Sequence, residues 1–161
     1  MTNASTSPRV TKGFTLVEAM GVVVIIAILA AIAYPSYMNQ VLKSKRAVAK
    51  SALLDAANRQ EQFYFSNRAY TTTMSSPAGL DYQTDPAYFG DDGVNLANST
   101  GAIYKITVVT PLNDTTICDD NPCFKLKAEA VGDQTKDTSC LVFTLTSSNK
   151  KTPDPATSSC W

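Results

Sequence analysis

The residues with most chemistry to offer are four cysteines, Cys118, Cys123, Cys140 and Cys160, all in the last third of the 161-residue chain. An even set of thiols can close disulfides in an oxidising compartment or hold zinc. Only the first two are close together, and the chain has no histidine to complete a metal set, so disulfides are expected and no metal site. The absence of histidine also removes the commonest general base and the usual partner of a Ser or Cys nucleophile. What remains is scattered Ser, Lys and Asp, which predicts a protein that is not an enzyme and carries no cofactor. Asp91, Asp92, Asp119, Asp120, Asp133 and Asp137 lack the acid spacing and glycine of a calcium loop, and read as solvated turns.

Glu18 is the other conspicuous group. It interrupts a nearly unbroken apolar run from Phe14 to Tyr34, preceded by a polar stretch with Arg9 and Lys12 and closed by Pro35. As a helix such a run would extend roughly 32 Å, close to the ~30 Å hydrocarbon thickness of a bilayer. A cleaved secretory signal would have a shorter apolar core without an acid, and Ala31-Ile32-Ala33 as its cutting site. A plain membrane anchor leaves Glu18 unexplained, since an acid facing lipid costs roughly 2.5–3.5 kcal/mol at mid-membrane. An acid near a helix start is also favoured by the macrodipole.

Gly13-Phe14-Thr15-Leu16-Val17-Glu18, the aliphatic run after it, and Ala30-Ala31-Ile32-Ala33-Tyr34-Pro35 together resemble the class III signal of type IV prepilins. The resemblance implies cleavage between Gly13 and Phe14 by a prepilin peptidase, N-methylation of Phe14, and an apolar helix kept in the mature chain. Glu18 would then pair with the Phe14 amine of a neighbouring subunit, neutralising a charge that is costly in lipid. Phe63-Tyr64-Phe65-Ser66-Asn67-Arg68-Ala69-Tyr70-Thr71 resembles the aromatic end of the long helix in one branch of minor pilins.

Ser36 to about Asn67 reads as an amphipathic helix, with Met38, Val41, Leu42, Val48, Ala49, Ala52, Leu53, Ala56, Ala57, Phe63 and Tyr64 recurring at spacings of three and four. The basic cluster Lys43, Lys45 and Arg46 reads as solvated surface, with acidic loops of neighbouring subunits or lipid head groups as alternative contacts. By charge alone such a cluster belongs in the cytoplasm; the resemblance decides for an outside C-terminus. Residues 71 to 102, rich in Thr, Ser, Gly, Asp, Asn and Pro, read as a long ordered loop. Ile103 to Thr110, Phe124 to Val131 and Leu141 to Thr146 read as three antiparallel strands whose inner face covers the helix stripe. The expected fold is α+β, a long N-terminal helix on an antiparallel sheet. Its parts are a leader 1–13, a transmembrane or filament-core helix 14–35, an amphipathic helix 36–70 and a head 71–161.

Four cysteines allow three pairings. Cys118 with Cys123 and Cys140 with Cys160 is the expected one, because Asp119-Asp120-Asn121-Pro122 is a turn-forming spacer and the second pair then encloses the tail, resembling the disulfide-bounded C-terminal region of pilins. The chain has no net charge, but residues 71–161 carry six basic and eleven acidic side chains, a net of −5. That balance disfavours nucleic acid as a partner. The expected function is a structural subunit, a minor pilin of a bacterial type IV pilus, serving pilus biogenesis, adhesion, twitching motility or DNA uptake. A type II secretion pseudopilin and a major pilin are the alternatives. Implied partners are other pilin subunits, the prepilin peptidase and an inner-membrane assembly platform. The precursor would sit in the inner membrane with its head in the periplasm, and the assembled subunit in an extracellular pilus.

Overall fold

The computed structural model describes residues 13–110, 112, 121–154 and 160–161. One helix, α1 (Leu16–Asn67), precedes β1 (Ala87–Phe89), β2 (Asn95–Leu96), β3 (Tyr104–Val109), β4 (Lys125–Ala130), a 3-10 turn at Gly132–Lys136, β5 (Val142–Thr146) and β6 (Lys151–Asp154). The chain forms two compact units, divided between Met38 and Asn39.

From Leu16 to Ala33 the α1 residues are apolar on every side apart from Glu18, and they are exposed. The helix starts where Thr15 caps it: the Thr15 hydroxyl accepts the Glu18 N–H at 3.2 Å, and its carbonyl accepts the Ala19 N–H at 3.1 Å. A Thr with a Glu three residues later is the sequence pattern of such a start.

In the second unit α1 buries Arg46, Ala49, Ala52, Leu53, Ala56 and Gln60, a stripe at helical spacing. Three of these are alanines, so the backbone can approach the sheet closely. The helix ends at Arg68, whose φ of 58° is left-handed and whose N–H reaches the Tyr64 carbonyl at 2.7 Å, closing the last turn.

The sheet runs β2-β1-β3-β4-β5-β6, antiparallel at every step. Alternation along the central strands turns Tyr104 and Ile106, Leu126 and Ala128, and Phe143 and Leu145 inward, where they meet Leu53, Met74 and Phe89 in one core. At ~25 cal/mol per Å² of apolar surface this burial is the main force holding the head together.

The three anticipated strands are the three central ones. β1 and β2 lie inside the segment read as loop, and β6 in the tail. At two or three residues the first two are too short to show alternation. β6 contains Pro153, which a sheet tolerates because β6 is an edge strand needing no further ladder bond there.

Polar groups of α1 order the loop that follows it. The Gln60 amide grips Thr71 twice, donating to its carbonyl at 2.7 Å and accepting its N–H at 3.1 Å. The Tyr82 hydroxyl donates to Asp55 at 2.5 Å, and Arg59, 4.5 Å above the Tyr82 ring, donates to the Leu80 carbonyl at 3.0 Å. Gly79 has no alternative here, because a Cβ would lie 2.1 Å from the Thr73 carbonyl oxygen.

Candidate functional site

Gly13 and Phe14 precede the first helical turn and both are exposed. Glu18 follows within that turn, also exposed, among Phe14, Leu16, Val17 and Met20, whose apolar side chains are 61–78% exposed. Leu16, Ala19, Met20, Val23 and Val24 border a shallow apolar groove. The segment therefore offers an uncovered hydrocarbon surface carrying one carboxylate. Over an 18-residue window its mean hydropathy is 2.7, long and apolar enough to cross a membrane. Burying that surface releases free energy, and burying the Glu18 carboxylate with it requires a cation or a proton.

The second polar site lies in the head. Arg46 and Asp137 are 8% and 5% exposed and form a two-pronged ion pair, Nε to Oδ2 at 2.7 Å and Nη2 to Oδ1 at 2.8 Å. The hydrogen bonds that it donates to Asp137 make the Arg46 guanidinium more basic than usual, against the pull of burial. The buried Gln134 amide donates to the Leu42 carbonyl at 3.1 Å and to Asp137 at 3.3 Å, so the 3-10 turn is tied to the helix. This corrects two expectations. Arg46 is not part of a solvated basic face, and Asp137 is not a solvated turn acid. Charge class misled there, whereas helical phase places Arg46 three residues before Ala49 on the buried stripe.

On the outer face of β3 and β4, Glu129 lies 3.1 Å from Lys105 and 3.3 Å from Lys127. Partial burial would raise its pKa, but hydrogen bonds from the two lysines and their charges outweigh that and hold it below the usual carboxylate value.

Cys140 and Cys160 form a disulfide with Cα atoms 5.7 Å apart, the pairing expected. Trp161 follows it, its ring 5.9 Å from that of Phe143. Cys118 lies outside the described residues, and with it the expected link to the buried Cys123. Among the described residues no three His, Cys, Asp or Glu side chains converge as a metal set.

With this geometry in place, likeness to known proteins is informative. Residues 35–144 match the family described as "Type IV minor pilin ComP, DNA uptake sequence receptor", and residues 8–34 match the prokaryotic N-terminal methylation motif. The chain belongs to this type IV minor pilin family. It is 35% identical over 79 residues to the type IV wide pilus major component PilA4 of Thermus thermophilus, covering 49% of this chain and 60% of that one. It is 34% identical over 95 residues to the fimbrial protein EcpC of Eikenella corrodens, covering 59% and 61%. A 40% identity over 72 residues to the type II secretion system core protein G of Pseudomonas aeruginosa covers 45% and 51%. The chain thus spans about three fifths of the first two relatives' lengths. A solved type IV pilin from Shewanella oneidensis aligns with a TM-score of 0.44 and 24% identity over 74% of this chain and 97% of that one. The resemblance of Gly13–Glu18 and the apolar run to a prepilin is borne out at the level of family. The methylation motif and the apolar helix fit a membrane-anchored precursor.

Proposed function

We propose that this chain is a structural, non-catalytic minor pilin that enters a type IV pilus through its apolar N-terminal segment. In this reading a prepilin peptidase cuts between Gly13 and Phe14, the new amine is methylated, and 14–35 holds the subunit in the inner membrane with its head in the periplasm. An inner-membrane assembly platform then transfers it to the filament, where neighbouring pilins replace lipid around the segment. The observation that carries the proposal is the exposure of the aliphatic side chains from Phe14 to Tyr34. Such a surface is sustained only by lipid or by neighbours. Edman sequencing and mass spectrometry of sheared filaments test it: the mature chain should start at methylated Phe14 and be present at low stoichiometry. A chain starting at Tyr34 would defeat the proposal.

DNA uptake is the pilus function that the matched family's description favours. The net acidity of residues 71–161 argues against a DNA contact, but charge is segregated in the head. Asp137 is consumed by Arg46, while Lys105, Lys125 and Lys127 share the outer face of β3 and β4 with Glu129. Deleting the chain should abolish uptake of added DNA while pili persist. Normal uptake in the deletion strain would leave the structural role alone.

A further inference from the structure

The basic cluster after the apolar segment is only partly used by the fold. Arg46 closes on Asp137, but Lys43 has no hydrogen bond or ion pair with any described residue. It borders a cleft of about 300 Å³ in the head, lined also by Asn39, Arg46, Lys136, Thr138 and Ser139. These groups are cations, hydroxyls or an amide. The one carboxylate in the lining, Asp137, is already neutralised by Arg46 through two of the five guanidinium N–H groups, which leaves three donors over. Because the pair is held in the fold, Arg46 being only 8% exposed, the floor of the cleft presents N–H donors without net charge, and the uncompensated positive charge is that of Lys43. Lys136 is held by Asp133 at 2.7 Å in an exposed pair, and such pairs are weak enough to exchange partners.

The place of the cleft in the sequence indicates its occupant. Asn39 and Lys43 follow Pro35, the end of the apolar run, by four and eight residues. Eight residues of chain reach at most about 28 Å even when fully extended. When the run fills the ~30 Å hydrocarbon layer, so short a connection keeps these residues within reach of lipid head groups. We propose that the cleft holds the phosphate of an anionic phospholipid while the subunit resides in the bilayer. Lys43 and Lys136 meet the phosphate, and Arg46, Thr138 and Ser139 donate to it from within. The proposal rests on the reading of 14–35 as a membrane span.

The full chain, reconstituted into vesicles of phosphatidylcholine and phosphatidylglycerol in equal parts and extracted in mild detergent, supplies the test. Co-purifying lipid is quantified by mass spectrometry. Phosphatidylglycerol should be enriched, and the enrichment should fall about fivefold in Lys43→Gln and again in Lys43→Gln/Lys136→Gln. Lys45→Gln, outside the cleft, should retain it. Both substituted lysines are exposed, and Trp161 fluorescence verifies that the head stays folded. Equal enrichment in the wild type and the double variant, or an equal loss in Lys45→Gln, would overturn the site. Loss of filament entry without any change in bound lipid would assign the cleft to an acidic neighbouring subunit instead, and would also overturn it. Carbonate washing separates the two readings: a chain released by carbonate refutes the membrane span and the site with it, whereas an integral chain without lipid preference refutes the site alone.

Discussion

Arg46 and Asp137 stand 91 residues apart in the chain and meet through two parallel hydrogen bonds of 2.7 and 2.8 Å. Asp137 ends the 3-10 turn, and its carbonyl accepts the Cys140 N–H at 3.0 Å. The pair therefore fixes both the turn and the approach to the disulfide against the helix. Removing one partner strands a buried charge, which typically costs about 3–5 kcal/mol, whereas replacing both by apolar groups is often close to neutral. Arg46→Ala and Asp137→Ala should each destabilise the head by about 3 kcal/mol, and Arg46→Met/Asp137→Leu by clearly less than either. Urea unfolding followed by fluorescence of Trp161, the only tryptophan, measures all three. A double variant as weak as the sum of the singles would show that the pair is not the coupled unit described here.

Cys160→Ser should release the segment after β5 that the disulfide closes. Opening a loop of 20 residues corresponds to about 3 kcal/mol by the chain-entropy account. Trp161 loses its anchored place beside Phe143, so its emission should shift to the red before global unfolding. An unchanged spectrum and unchanged unfolding midpoint would show that β6 alone holds the tail.

Glu129 gives the sheet a dependence on acid. Its folded pKa lies below the usual carboxylate value, so its contribution is present at neutral pH and fades as pH falls below about 4.5 through the folded value. The lysines on either side are partly exposed and screened, which limits the effect to under about 1 kcal/mol. Glu129→Gln should be slightly less stable than the wild type at pH 7, with the difference shrinking as pH falls below about 4.5. A difference that grows in acid would reverse the assignment.

How far the sequence disclosed these features depends on whether a residue's surroundings are local. Ile106, Leu126 and Phe143 were legible because alternation over a whole strand reports burial on one face. Glu18 was legible because an acid among aliphatic residues is anomalous at any level of structure. β1 and β2 were not, since two or three residues carry no period and their pairing depends on partners far along the chain. Arg46 shows the limit most plainly. A charged side chain is ordinarily solvated, and only the carboxylate arriving from position 137 makes its burial tolerable. The Gln60 clamp on Thr71 is of the same kind, a side chain whose role exists only once the chain has turned back.

Glu18→Ala tests how the apolar segment enters a filament. The Thr15 cap uses the Glu18 backbone N–H, so the helix start survives the substitution, and the length of the apolar run is unaltered. Cleavage after Gly13 and membrane insertion should therefore proceed as in the wild type. What disappears is the carboxylate, the partner proposed for the Phe14 amine of an adjacent subunit. An uncompensated ammonium in a hydrocarbon environment costs several kcal/mol even after relaxation, so the variant should accumulate as processed protein in the membrane and be depleted at least tenfold from sheared pili. Glu18→Asp, with the charge kept on a shorter arm, should be incorporated to an intermediate extent. Immunoblots of membrane and sheared fractions give both quantities. Wild-type incorporation of Glu18→Ala would eliminate charge pairing and leave apolar packing as the sole force of assembly.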